Sequence, residues 1–255
     1  MMGITFESTP KLFGFFHLSA LFLIFLANIV LFPYLKRQDE EKLLKLLHYS
    51  GLFMMLAEIF KQWFCYVYVF NRTINLWFFP WQLCSMAMYC AFFVTFFHKE
   101  KDQNVFLVFL SSFSLFADII ALILPYDMLR NQIILLVHSF AYHGLIISQS
   151  IISVMILSKR KRVAFTPSVY LFLMMALIAV IINSISHLIF NNIYIEPNMF
   201  YITFSYPTTQ PVFHDIAIQY GIFTEIILYL SLIILFSYLI FLSEKRYFFR
   251  KTDGK

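Results

Sequence analysis

The chain has 255 residues, of which 61% are hydrophobic, 20% aromatic and only 13% charged. A soluble domain carries about 25% charged residues, so these charges are too few to cover a globule that faces water on every side. The composition therefore excludes a water-soluble monomer and indicates a protein that uses lipid as its solvent.

Seven long apolar stretches predict seven transmembrane helices in one all-α polytopic membrane domain, residues 1–255. Each stretch is long enough to cross a hydrocarbon core of about 30 Å. The predicted spans cover residues 12–35, 46–70, 76–97, 105–125, 132–158, 169–190 and 220–243. The outer loop, residues 191–219, has three prolines and neither Lys nor Arg, so we expect an ordered cover rather than a tail.

The basic residues divide unequally between the two sides that seven spans define. Fifteen of the 19 Lys and Arg residues fall in loops and the tail on one side, three fall on the other, and Lys61 lies inside a span. Basic loops face the cytoplasm under the positive-inside rule, so we expect the C-terminus inside and the N-terminus outside. Topology thereby accounts for the net charge of +5, and we expect no nucleic-acid partner.

Polar residues within the spans cluster toward the outer ends, whereas the inner halves are predicted to be nearly pure hydrocarbon. The outer set consists of His17, Glu58, Lys61, Gln62, Gln82, Cys84, Asp118, His138, His143, Asn183, His187 and Glu225. Polar groups in a membrane normally face one another or a cavity, because exposure to lipid is costly. The pattern predicts a shared polar chamber that opens outward.

Helical spacing indicates which of these groups can act together. Glu58 and Lys61 lie three residues apart on one face, which favours a structural ion pair, with a substrate-gated pair in a transporter as the alternative. His138 and His143 point about 140° apart on one helix, which argues against a shared metal ion. We expect neither a metal nor another cofactor.

Cys84 has three interpretations from the residues alone. It can be a small buried packing residue, as cysteine often is, or it can form a disulfide with Cys65, which lies at a similar predicted depth. It can also be a nucleophile, which requires a nearby base to generate the thiolate. His143 in the fifth span lies at a comparable depth and is the candidate base.

Three short motifs resemble the YwaF-like family of integral membrane proteins. They are FHLSAL at residues 16–21, PWQLC at residues 80–84 and YHG at residues 142–144, and the similar layout covers residues 13–245. That family is related to a vertebrate transmembrane acyltransferase of phospholipid metabolism. The resemblance implies that Cys84 and His143 are the catalytic pair and that the protein lies in the cell membrane of a bacterium.

We therefore expect acyl transfer to, or acyl hydrolysis of, a membrane lipid through a thioester on Cys84, with His143 as the base. Candidates for binding the substrate or the tetrahedral oxyanion are Gln82, His138, Asn183 and His187. The residues do not identify a protein partner.

The alternative is a carrier or channel for a small polar solute or protons. It would use the ionisable residues Glu58, Lys61, Asp118 and Glu225. The apolar inner halves and the lack of an inverted repeat argue against a carrier. A receptor or an assembly scaffold is a third class, for which the residues carry no signature.

The distribution of basic residues predicts the orientation of two loops. An impermeant thiol reagent added to intact cells should label Ser205→Cys and leave Ser158→Cys unlabelled, because basic loops stay in the cytoplasm. The reverse labelling pattern would mean that the orientation is inverted and that the chamber opens to the cytoplasm.

Overall fold

The structure, a computed structural model, describes residues 5–190 and 197–249. Within these residues the chain is helical apart from loops and one isolated bridge between Thr5 and Gln132. Seven of its helical segments are long and apolar enough to cross a membrane. The predicted all-α class with seven spans is confirmed, whereas the orientation of the termini stays a prediction.

Nine α-helices form this fold. In the described part of the chain they are α1 Phe15–Lys36, α2 Glu40–Phe64, α3 Met86–Phe93, α4 Glu100–Val108, α5 Leu115–Ile123, α6 Ile133–Leu157, α7 Thr166–Phe190, α8 Phe213–Tyr220 and α9 Ile222–Tyr247. Shorter turns extend or join them, namely the π-helical segments Cys65–Val69 and Phe109–Ser114 and the 3-10 segments Leu76–Phe78, Leu83–Ser85, Val94–Phe96 and Met199–Tyr201. The segment Phe109–Ser114 joins α4 and α5 into the fourth span.

Several helix boundaries differ from the predicted spans, most of all at the start of α2. Helix α2 begins six residues earlier than the predicted position 46, because the Asp39 carboxylate accepts a hydrogen bond from the Lys42 amide at 2.8 Å and caps the helix. This polar first turn lies outside any apolar stretch. The outer loop also contains a helix, α8, which a single residue, Gly221, separates from α9. Residues 191–196 of that loop lie outside the described residues.

Helix α6 lies at the centre of the bundle, where it packs against α1, α2, α4 and α5. In α6 and in the fourth span, 56% of the most apolar window is buried, against 11% in α1. Most of the surface of α1 therefore faces lipid, while α5 and α6 have protein on most sides. Polar side chains on α5 and α6 consequently meet one another rather than lipid.

Helices α2 and α3 approach closely at Gly51. A Cβ atom at this position would lie 2.5 Å from the backbone nitrogen of Phe92, a distance that no side chain tolerates. The absence of a side chain thus lets the two backbones meet, as small residues do in membrane helix packing.

The expectation of a nearly pure hydrocarbon inner half is wrong. The Gln149 amide donates to the Ser50 hydroxyl at 2.9 Å, and the Ser111 hydroxyl donates to the Glu244 carboxylate at 2.9 Å. The Ser150 hydroxyl donates to a backbone carbonyl. Hydropathy averaged over a span hides such residues because isoleucine, leucine and phenylalanine surround them.

A buried arginine ties together the loops opposite the predicted chamber. The Arg160 guanidinium donates to the Glu40 carboxylate at 2.5 and 3.1 Å and to the side-chain oxygens of Gln103 and Asn104 at 2.6 Å each. Arg160 is only 4% exposed. The sequence pattern indicates a solvated basic loop here, but this member of the loop joins the starts of α2 and α4.

Because of these contacts, we expect substitution of Arg160 to destabilise the protein more than substitution of an exposed basic residue in the same loop. Arg160→Met should lower the free energy of unfolding by about 2–3 kcal/mol, because it leaves a charge-assisted acceptor network without its donor. The matched control is Lys161→Met, which removes the same charge from an exposed side chain and should leave stability nearly unchanged. Thermal unfolding in detergent measures both. Equal losses in the two variants would contradict a structural role for the Arg160 contacts.

Candidate functional site

A cavity of about 540 Å³ lies at the end of the bundle where α2, α5 and the 198–212 segment come together. One wall is apolar and comes mainly from α5 and α9, including Phe116, Ile120, Leu232 and Phe236. Polar or ionisable side chains also line the cavity, namely Glu58, Lys61, Gln82, Cys84, Asp127, Arg130, His138, Tyr142, His143 and Tyr201. The cavity is therefore amphipathic.

The cavity brings six of the predicted chamber residues together, namely Glu58, Lys61, Gln82, Cys84, His138 and His143. The others are not part of its lining. Asp118 lies behind His143, fully buried. His17 instead joins α1 to the end of α5, where its Nε2 lies 2.8 Å from the Leu122 carbonyl oxygen.

The central feature of the site is a contact between Asp118 on α5 and His143 on α6. The His143 Nδ1 atom lies 2.5 Å from the Asp118 carboxylate, and the two side chains are 8% and 0% exposed. This contact occupies one ring nitrogen and fixes the orientation of the imidazole, which leaves Nε2 for a second partner. The His143 side chain also interacts with Cys84, which lines the same cavity.

Cys84 lies in the first turn of a helix. The 3-10 segment Leu83–Ser85 runs directly into α3, so Cys84 is the second residue of a continuous helical segment. The first amide groups of a helix lack intrahelical acceptors, and the positive end of the helix dipole stabilises a thiolate. Among the three cysteines, Cys65 and Cys90 are buried, Cys84 is half-buried and none forms a disulfide.

The site thus combines a cysteine, a histidine and an aspartate, the three residue types that activate a thiol in nucleophilic sites. In such an arrangement an imidazole can take a thiol proton, and a carboxylate stabilises the imidazolium that forms. From the sequence alone, Asp118 is a candidate residue of the carrier alternative and is not linked to His143. A signal was present, since Asp118 and His143 lie at similar predicted depths on consecutive antiparallel spans.

Two of the predicted oxyanion donors have a different task. The Gln82 side chain donates to the Asn198 carbonyl at 3.2 Å and accepts from the Phe200 amide at 3.0 Å. The Asn183 side chain likewise bonds the amide and the carbonyl of Met199, at 2.7 and 3.1 Å. Both amides therefore hold the backbone of residues 198–200 over the site.

Unusual backbone geometry accompanies this anchoring. Phe200 and Tyr201 have positive φ angles of 58° and 59°, a region that costs residues with a side chain about 1–2 kcal/mol each. The Tyr201 hydroxyl bonds the Asp127 carboxylate at 2.5 Å and closes the segment onto the loop after α5. Burial raises the pKa of the Tyr201 phenol well above its ordinary value, so it stays protonated and donates this bond.

Two polar atoms of the cavity lining are left without a hydrogen-bond partner among the described residues. They are the His138 Nε2 and the Tyr142 hydroxyl oxygen, whose rings stack with centroids 5.7 Å apart. Buried polar atoms are normally paired, so both are candidates for contact with a bound molecule. Tyr142 was missed as a donor, although it belongs to the YHG motif.

The remaining predicted residues lie elsewhere. Neither Asn183 nor His187 is part of the lining of this cavity, and neither is Glu225. Glu225 is buried, and neither of its carboxylate oxygens has a hydrogen-bond partner among residues 5–190 and 197–249. In that part of the chain, no group of three or more metal-binding side chains is found.

No protein-family model, curated protein or solved structure matches this chain. The resemblance to the YwaF-like family consequently stays a prediction.

The wall of the cavity also contains the predicted ion pair. The Lys61 ammonium lies 2.5 Å from the Glu58 carboxylate, and the Gln62 amide donates to the same oxygen at 2.9 Å. Glu58 has a side chain only 5% exposed, against 19% for Lys61. The carboxylate is thus the more costly member to leave unpaired.

This asymmetry predicts unequal effects of removing the two partners. Lys61→Met should lower the free energy of unfolding by about 3 kcal/mol, because it strands the buried Glu58 carboxylate. Glu58→Gln should cost less, since Lys61 keeps some access to water. Thermal unfolding in detergent gives both values, and the double variant should be milder than the sum.

The exposed pair of Glu41 and Lys45 on the same helix supplies the control. Its ammonium and carboxylate lie 2.6 Å apart with side chains 61% and 78% exposed, so Lys45→Met should change stability little. Strictly additive losses at Glu58 and Lys61 would argue that the two residues act separately.

Proposed function

We propose that this protein is a lipid-directed acyltransferase or acyl hydrolase that uses Cys84 as its nucleophile. The observation that carries the proposal is the arrangement of Cys84, His143 and Asp118 at an amphipathic cavity in a membrane-embedded bundle. A thiol, an imidazole and an orienting carboxylate are the groups that acyl transfer through a thioester requires. The resemblance to the YwaF-like family supports the same assignment and is the basis for proposing a bacterial cell membrane.

In the first half of the proposed reaction, His143 Nε2 takes the proton of the Cys84 thiol. The thiolate sulfur attacks the carbonyl carbon of a lipid ester and forms a tetrahedral oxyanion. When this intermediate collapses, the ester C–O bond breaks, and the imidazolium passes its proton to the departing alkoxide. The products are a free alcohol, such as a lysolipid, and an acyl thioester on Cys84.

In the second half, His143 takes a proton from the acceptor hydroxyl, which attacks the thioester carbonyl. The C–S bond then breaks, and the sulfur regains a proton from the imidazolium. An alcohol as acceptor gives transfer, and water gives hydrolysis. Asp118 touches neither the substrate nor the reacting atoms, so it acts as a positioning residue that holds the ring and stabilises its charged form.

The oxyanion requires hydrogen-bond donors close to the sulfur. The Leu83 and Cys84 amides at the start of the helix that runs into α3 are the backbone candidates, since the Ser85 amide already donates to the Gln82 carbonyl at 2.9 Å. The Tyr142 hydroxyl is the side-chain candidate, since it lines the cavity without a partner among the described residues.

The cavity lining fits a lipid better than a small polar solute. The wall formed by α5 and α9 suits an acyl chain, and Cys84 and His143 line the same cavity. The carrier alternative has less support, because Glu58 pairs with Lys61 and Asp118 pairs with His143. Side chains held in such pairs have little capacity left for a transported ion.

The test uses purified protein in vesicles that contain a phospholipid with a labelled acyl chain. The wild type should release or transfer the chain and accumulate an acyl adduct on Cys84 that hydroxylamine removes. Cys84→Ala should abolish the adduct, and His143→Ala should lower turnover about 10²-fold or more, the usual contribution of a general base. Cys65→Ala is the matched control and should keep wild-type turnover.

The role of Asp118 has its own readout. Asp118→Asn should slow alkylation of Cys84 by iodoacetamide as well as turnover, because the imidazole loses the charge that stabilises its protonated form. Asp118→Glu should recover part of both rates. If Cys84 and His143 variants fold normally and keep wild-type turnover, or if no lipid acylates Cys84, the enzyme proposal is wrong.

A further inference from the structure

The thiol chemistry leaves a pair of cations in the cavity lining unused. Lys61 on α2 and Arg130 in the loop after α5 both line the cavity and both face the ring of Phe78. The Arg130 guanidinium carbon lies 4.7 Å from the ring centroid, and the Lys61 nitrogen lies 5.9 Å from it. Phe78 therefore brings two positive charges to one place through cation–π contacts.

Among the described residues, Arg130 has no carboxylate partner. Its Nε donates to the backbone carbonyl of Asp127 at 3.2 Å, and no carboxylate oxygen lies within 4.0 Å of the guanidinium among the residues that the structure describes. The Asp127 carboxylate is instead engaged by the Tyr201 hydroxyl at 2.5 Å. The terminal N–H groups of the Arg130 guanidinium are therefore available to donate hydrogen bonds.

Arg130 is also partly withdrawn from water. Burial lowers the pKa of its guanidinium from the ordinary value, yet arginine stays protonated at neutral pH. A partly buried cation without a counter-ion is costly, and an anion that enters the cavity would offset that cost. The nearby Lys61 differs, because Glu58 already neutralises it at 2.5 Å.

We propose that Arg130, seated on Phe78 and flanked by Lys61, forms an anion subsite of the cavity that binds a phosphate group. The guanidinium presents parallel N–H groups that match two oxygens of a phosphate, and arginine is the preferred residue for such binding. The apolar wall of α5 and α9 extends the same cavity, so a phosphate joined to acyl chains would fill both regions. The step that makes this phosphate the headgroup of an acyl donor rests on the proposed function; the subsite itself does not.

The test measures binding without turnover. In a Cys84→Ala background, phosphatidylglycerol and diacylglycerol with identical fluorescent acyl chains are titrated onto the purified protein in neutral detergent micelles. Phosphatidylglycerol should bind more tightly, and Arg130→Gln should weaken its binding about tenfold, the usual effect of losing a charge-assisted hydrogen bond. Diacylglycerol binding should not change.

Two further variants make the result specific. Arg130→Lys should recover part of the affinity, because it returns the charge without the paired donors. It also keeps the proposal testable if Arg130→Gln fails to fold, which the melting temperature reports. Arg72→Gln removes an exposed arginine that is not part of the cavity lining and should change neither affinity.

A competition experiment identifies the source of the phosphate. Displacement of the labelled phosphatidylglycerol by millimolar inorganic phosphate would support the subsite as one that takes the free ion. Resistance to it, with the lipid preference intact, would support a site that needs the attached chains. Equal binding of the two lipids, unaffected by Arg130→Gln in a folded protein, would overturn the subsite.

Failure of this test and failure of the proposed function are distinguishable. Because the binding protein has no thiol at position 84, its affinity for phosphate does not depend on whether Cys84 forms a thioester. Loss of the anion preference would leave the acylation chemistry in place with a neutral donor. Absence of acylation with the preference intact would leave a phosphate-binding site without that reaction.

Discussion

A carboxylate buried in a membrane protein is costly to leave unpaired, and at the centre of this bundle Asp118 is paired with His143. The 2.5 Å contact joins α5 and α6, which belong to the most buried spans of the chain. Leaving Asp118 alone among apolar side chains would be costly, so the contact restricts how the two helices can rotate against each other. It also fixes the orientation of the imidazole.

The segment over the cavity depends on the same rule. Within this segment Phe200 and Tyr201 adopt backbone conformations that side chains disfavour, and two amides, Gln82 and Asn183, bond the backbone groups of residues 198–200. Without these bonds the segment would carry unpaired backbone groups in a largely apolar setting. Polar residues that resemble substrate ligands in the sequence therefore serve the architecture of the site.

The opposite end of the bundle uses its polar groups for assembly. Arg160 satisfies the start of α2 and the first turns of α4, and Ser111 and Glu244 join the fourth span to α9. The residues that make these contacts do not line the cavity. The molecule thus keeps an amphipathic cavity at one end while the polar groups of the other end hold the helices together.

The sequence by itself determined the solvent of this protein and the number of its spans, because hydropathy along the chain is a local property that needs no knowledge of neighbours. It also placed Glu58 and Lys61 on one face, since helical spacing is local too. Which residues meet across different helices is not local. Asp118 and His143 lie 25 residues apart, and their meeting depends on the rotation of each helix about its axis, as does the engagement of Gln82 and Asn183 by the covering segment. That rotation follows from packing and from the cost of unpaired polar groups in lipid, which only the tertiary structure resolves.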